Sequence, residues 1–158
     1  MVRISEASSL GAIEIVRQLF REYGALPDVS IGKHELAGLP GEYAPPAGIL
    51  LIAMNDMEGA GCVALRRLGP CECEMKRLYV RPKYREQGLG RKLVFELIGR
   101  SQGLGYERMR LDTRPSMPSA IRLYRSFGFR EIPAYLSDPV PGALFFELAL
   151  NGKAHASG

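Results

Sequence analysis

Apolar and polar residues alternate over residues 2–7, which predicts a short opening strand. Ser8 or Ser9 can cap the helix that follows, where Ile13, Val16, Leu19 and Phe20 recur at helical spacing. A second, weaker helix is expected over 30–36, and the Gly- and Pro-rich stretch 38–48 reads as loop. Strand 48–54, hairpin turn 55–59 and returning strand 61–67 come next. Leu68-Gly69-Pro70 then turns the chain into a long strand over 71–80. A helix over 88–102, a strand over 109–113 and a short helix over 119–126 follow. Strands near 129–132 and 143–150 precede a polar tail, 151–158, expected to fray. The order β-α-α-β-β-β-α-β-α-β-β predicts one α/β domain of the α+β type over 1–150, its helices flanking a mostly antiparallel sheet.

The strand over 71–80 changes phase midway. Cys73 and Met75 share one face, with Glu72, Glu74 and Lys76 on the other, but Leu78 and Val80 then fall on the polar parity. A one-residue slip restores a continuous apolar face, and a β-bulge near Lys76-Arg77 is the device that supplies it. A central strand buried on both faces is the alternative, since alternation need not hold there.

Between this strand and the next helix lies Arg85-Glu86-Gln87-Gly88-Leu89-Gly90. Glycines in a first helical turn let a polyphosphate approach the backbone, and the free N–H groups with the helix dipole attract anions. Arg85, Arg91 and Lys92 add positive charge. A tight strand-to-helix turn is the commoner origin of so short a pattern. No Gly-Lys-Ser/Thr follows, so it is not a P-loop, and the dinucleotide fingerprint needs a third glycine in a parallel βαβ unit.

Composition narrows the classes. The 158 residues suit one domain with a single substantial core. With 46% apolar and 24% charged residues, disorder is not expected. The longest apolar run, 49–54, is too short to span a bilayer, and no leader pattern opens the chain. Three cysteines (Cys62, Cys71, Cys73) cannot all pair within the chain, and a reducing cytoplasm is the expected setting. Cys71-x-Cys73 lacks a second ligand pair at metal spacing, so no metal is expected. The net charge of +4 suits an anionic ligand without identifying one. No basic block or aromatic-basic platform marks a nucleic-acid surface.

The long strand ending Leu78-Tyr79-Val80, the Pro-containing loop and Arg-x-x-Gly-x-Gly opening a helix resemble the acetyl-CoA signature of the GNAT superfamily of N-acetyltransferases. Ala120-Ile121-Arg122-Leu123-Tyr124-Arg125-Ser126-Phe127-Gly128-Phe129 looks like its second signature, Ala-x-x-Leu-Tyr-x-x-x-Gly-Phe. The close match runs from about Cys71 to Ile132. This resemblance implies that the bulged fourth strand and the next strand splay around acetyl-CoA. Backbone groups of Leu78, Tyr79 and Val80 would hold the pantetheine arm. Amides of Gln87, Gly88, Leu89, Gly90 and Arg91, with Arg85 nearby, would hold the pyrophosphate. Glu86 stands where many members have glycine, and Met117 where many have an asparagine that contacts the cofactor.

Two catalytic groups are implied. Glu74 lies eleven residues before Arg85, the offset at which the histone-acetylating branch places its glutamate base. Burial would raise its pKa towards working pH. Alternatively Glu74 is a solvated or salt-bridged strand residue, paired with Lys76 or Arg77. Tyr124 matches the family tyrosine that protonates the CoA sulfur. It also shares a helical face with Ala120, Leu123 and Phe127, and packing alone would explain that. His34 and Asp112-Thr113 are weaker candidates for touching an acceptor, and His155 lies in the tail.

The expected partners are acetyl-CoA and a primary amine of a small molecule or peptide, with no nucleic acid and no membrane. A homodimer is compatible with the sequence. The acceptor site is expected from residues 28–43 and 133–142, which carry Asp28, Glu35, Glu42, Tyr43, Tyr135 and Asp138. The rival of a different class is a non-catalytic CoA-binding sensor or scaffold.

Overall fold

The computed structural model describes residues 1–150; the tail 151–158, with His155, lies outside the described residues. The elements follow the expected order: β1 (Val2–Glu6), α1 (Leu10–Gly24), α2 (Lys33–Ala37), β2 (Ile49–Asn55), β3 (Glu58–Arg67), β4 (Glu72–Val80), α3 (Leu89–Gly103), β5 (Arg108–Thr113), α4 (Pro118–Ser126), β6 (Arg130–Ile132) and β7 (Leu144–Ala149). Short 3-10 turns occupy Gly41–Tyr43, within the expected loop, and Pro82–Tyr84. Of the two candidate caps, Ser9 closes α1, its Oγ accepting from Ala12 N at 3.1 Å. Helix α2 begins later than its pattern predicts and has no side-chain cap. Tertiary contacts through Glu35 hold it instead.

Seven strands form one open sheet in the order β1-β2-β3-β4-β5-β7-β6. Every neighbouring pair is antiparallel except β4 and β5. Helices cover both faces, and this explains the unbroken apolar run of β2. Ile49, Leu51 and Ala53 enter the core beneath α3, whereas Leu50 and Ile52 enter the core beneath α1. Val16, Leu19 and Phe20 of α1 are completely buried in the second core. Each such side chain contributes about 1.5–3 kcal/mol relative to exposure, far more than intrinsic propensity gives so short a helix.

Strand β4 is bulged. Between the pairs Cys62↔Tyr79 and Ala64↔Lys76, β3 advances two residues while β4 advances three. Arg77 sits at the slip with φ +62°. Cys73 and Met75 therefore share the α3-side core with Leu78 and Val80, while Tyr79 enters the opposite core. The phase change in the sequence had this cause. Past the bulge, β3 and β4 come close: a Cβ on Gly61 would lie 2.7 Å from the Tyr79 carbonyl oxygen. Gly61→Ala must push β4 away at this point, and a stability loss of about 1–3 kcal/mol is expected in chemical denaturation. An unchanged midpoint would show that the two strands separate freely here.

The parallel contact between β4 and β5 is brief. It covers Glu72↔Arg108, Cys73↔Met109 and Glu74↔Arg110, after which the strands part. The sheet thus opens a wedge whose apex is Glu74.

Candidate active site

Leu78, Tyr79 and Val80, past the last β4–β5 rung, form one wall of a cleft. The turn and first helical residues Arg85, Gly88, Leu89, Gly90 and Arg91 form its end, and α4 closes it through Ala120 and Leu123. The cleft encloses about 730 Å³, and Tyr23 and Leu26 reach it from the α1 side. Of the nine residues expected to bind cofactor, only Gln87 is absent from the lining. It is exposed, its amide 3.5 Å from the Lys83 carbonyl oxygen.

Gly88 caps α3 in the left-handed region, φ +78°, and a Cβ placed there meets nothing within 4 Å. The first helical bond runs from Lys92 N to Gly88 O, so the amides of the first turn precede any intrahelical partner. An open cradle of amides with Arg85, Arg91 and Lys92 exposed around it suits a pyrophosphate. Gly90 needs no special conformation and makes ordinary contacts with Leu123 and Val80. Glu86 takes φ +64°, a left-handed conformation that favours glycine, and its side chain is exposed on the rim. Met117 lines the cleft, its sulfur 3.8 Å from the Thr113 hydroxyl. Arg85 Nε donates to the Val80 carbonyl at 2.8 Å, fixing the turn against the end of β4.

A valine at 88 combines a left-handed backbone with β-branching and fills the cradle. Gly88→Val is expected to weaken CoA by about tenfold or more, near 1.4 kcal/mol, in calorimetry on a protein with native circular dichroism. Wild-type affinity in a folded variant would move the phosphates elsewhere.

Tyr124 is nearly buried, its ring 5.8 Å from Phe129 within the α3-side core. Burial pushes its hydroxyl well above the ordinary tyrosine value, with smaller contributions from Tyr23 and Asp112. It is therefore protonated at neutral pH. Tyr23, whose hydroxyl burial also raises, connects this region to the cleft it lines.

Glu74 is fully buried. Arg66 Nε donates to Oε1 at 2.6 Å, Tyr135 Oη donates to Oε2 at 2.6 Å, and Lys76 Nζ stands 3.9 Å from Oε1. The expected Lys76 contact is present, but Arg77 is engaged elsewhere. Its Nε and Nη2 grip Glu35 at 2.8 and 2.7 Å, and Tyr43 Oη also donates to Glu35 at 2.9 Å. Burial alone would raise the Glu35 pKa, but the Arg77 fork outweighs it and holds the carboxyl below its ordinary value. That latch anchors α2 to the bulge.

Several residues of the two expected acceptor segments converge on this sheet face. Glu42 meets Arg66 at 3.3 Å, Tyr135 caps Glu74, and Asp28 accepts from Ser116 Oγ at 2.9 Å across the rim. His34 and Asp138 are exposed. Tyr23 lines the cleft, and Arg66, Arg110 and Arg114 lie on the sheet face near Glu74; the sequence analysis singles out none of these four. The alternation Arg110-Leu111-Asp112-Thr113-Arg114 is the signal that points to two of them. Cys73 is buried on β4, its thiol pushed up to about 12 by burial, a poor source of thiolate. Among the described residues no helix is long and apolar enough to cross a membrane.

A bulged strand parting from its parallel neighbour over a glycine-opened helix defines the architecture of acyl-CoA-dependent N-acyltransferases. The model of the acetyltransferase (GNAT) family matches residues 14–129, and the chain belongs to that family. An uncharacterized N-acetyltransferase of Schizosaccharomyces pombe is 41% identical over 139 residues, 87% of this chain and 85% of its own. A GNAT-family acetyltransferase structure from Staphylococcus aureus superposes with TM-score 0.81 at 21% identity, covering 95% of this chain and 99% of its own. PaiA N-acetyltransferase from Thermoplasma acidophilum, solved in complex with coenzyme A, gives TM-score 0.71 at 17% identity, covering 94% and 99%.

Proposed function

We propose that the protein transfers an acetyl group from acetyl-CoA to a primary amine, the amine attacking the thioester directly in a ternary complex. The observation that carries this is the cleft itself. It joins the freed end of β4, from Leu78 to Val80, to the amide cradle at Gly88. Beyond Glu74 the β5-facing edge of β4 around Leu78 and Val80 has no ladder partner, with Arg85 Nε on the Val80 carbonyl, and this edge is suited to the amides of a pantetheine arm. The first-turn amides of α3, with Arg85 and Arg91, are suited to the pyrophosphate.

In this scheme the amine nitrogen bonds to the acetyl carbon as the C–S bond breaks. The amine proton passes to Glu74 through the Tyr135 hydroxyl that already donates to it. The departing thiolate takes a proton from Tyr124. Glu74 is confined by Arg66 and Tyr135, so its access to the amine runs by this hydroxyl and not by direct contact.

Thiol release from acetyl-CoA, measured against amino acids, polyamines, aminoglycosides and peptides, tests the proposal. Acetylation of at least one class, with the N-acetyl product identified by mass, supports it. Tight CoA binding with no amine acetylated would instead make the chain a CoA-binding sensor or scaffold.

A further inference from the structure

Charged side chains on the α1-side face of β3, β4 and β5 are mostly committed to one another. Arg66 is held by Glu74, Arg77 by Glu35, and Arg110 Nε by Glu147 at 2.8 Å. Arg114 differs. Its hydrogen bond to the described residues is a single one, Nη1 to Asp112 Oδ2 at 3.3 Å. Its Nε is buried and has no partner, the one such side-chain nitrogen or oxygen among the described residues. The edge formed by Nε and Nη2, which Arg77 uses to grip a carboxylate, is therefore without an acceptor among the described residues in Arg114.

The position of this open edge is informative. Met109 and Leu111 enter the α3-side core, so Arg110 and Asp112 alternate onto the opposite face of β5, and Arg114, just past the strand end, is held beside Asp112. Arg114 lies four residues beyond the last β4–β5 rung, on the chain that leaves the opened end of β5. Asp112 and Arg114 both act electrostatically on the hydroxyl of Tyr23, which lines the cleft. The pyrophosphate cradle has its own cations at the start of α3, and Arg114 is not part of that cleft wall. A buried guanidinium N–H without an acceptor forfeits its solvation, and a planar oxyanion restores it through two parallel bonds.

We infer that Arg114 binds a carboxylate carried by the acceptor, so that the substrates are amines bearing a nearby carboxylate, as amino acids do. This rests on the acetyl-transfer function proposed above. Asp112 positions Arg114 by holding its Nη1, and the Nε–Nη2 edge faces the substrate.

The test pairs each of the common amino acids with its carboxamide as acceptor, in wild type, Arg114→Gln and Arg114→Lys. Wild type is expected to favour the free acids by about tenfold or more in kcat/KM. In Arg114→Gln that ratio should collapse towards one through KM, with CoA affinity unchanged in calorimetry. Arg114→Lys keeps the charge but not the fork, and should fall between. A second measurement does not need turnover: binding of N-acetyl amino acids and their amides to the protein–CoA complex. If no amine is acetylated but N-acetyl amino acids bind wild type and not Arg114→Gln, the transferase function fails while the carboxylate site stands. Equal use of acids and amides, equal losses on both in Arg114→Gln, or weakened CoA binding would each overturn the inference.

Discussion

Glu74→Gln is expected to lower kcat by about 10²-fold or more, roughly 2.7 kcal/mol of transition-state stabilisation, with CoA affinity little changed. Glutamine fills the same volume and keeps an oxygen for Arg66 Nε. Its amide NH₂ then faces the Tyr135 hydroxyl, which rotates to accept instead of donate. Proton flow from amine to carboxylate is cut at that reversal. The fold should survive, because Arg66 is also paired with Glu42 at 3.3 Å and its side chain is 24% exposed. Tyr135→Phe separates relay from electrostatics: it keeps the carboxylate and the ring packed edge-on against Phe145, centroids 5.1 Å apart, but removes the hydroxyl. If Glu74→Gln and Tyr135→Phe fall by similar factors, and the double variant falls no further, the two act as one unit. Near-wild-type kcat in Glu74→Gln would leave this carboxylate as a purely structural partner of Arg66.

How much of this site the sequence discloses depends on how local each feature is. The glycine turn at the cleft's end is legible because its parts, Arg85 to Arg91, are consecutive in the chain. The β4 bulge is legible because Cys73, Met75, Leu78 and Val80 contrast sharply with their polar neighbours. The same chain hides a second slip. Ala53 pairs with Gly61 but Met54 with Gly59, leaving Ala60 extra on β3. Gly59-Ala60-Gly61 offers no polar–apolar contrast from which a phase could be read. The surroundings of Glu74 are hidden for another reason. Arg66 reaches it by cross-strand register and Tyr135 by a loop 61 residues further on, and neither is encoded near Glu74 itself. Arg77 shows the limit from the other side: a salt bridge to Glu74 was plausible by proximity, but the bulge turns its side chain to Glu35, 42 residues away. Short-range patterns thus locate the glycine turn and the bulge, and only tertiary register assembles the surroundings of Glu74.

Tyr124→Phe should lower kcat by about 10²-fold with CoA affinity and stability little changed, the pattern of an interaction made mainly in the transition state. Phenylalanine keeps the ring that packs against Phe129 and lies in the core with Ala120, Leu123 and Phe127. Only the hydroxyl is lost. Burial raises the pKa of that hydroxyl, with smaller contributions from Tyr23 and Asp112. A tyrosine held protonated has one proton to give, and a thiolate forming in the cleft is the group whose charge would call for it. Substituting a donor with a better thiol leaving group, such as a thiophenyl acetate analogue of the thioester, should then narrow the gap between wild type and variant, because less proton donation is needed. A variant that loses stability at constant kcat would make the hydroxyl a structural group. Loss of CoA affinity at constant kcat would make Tyr124 a residue that binds the donor and does not protonate it.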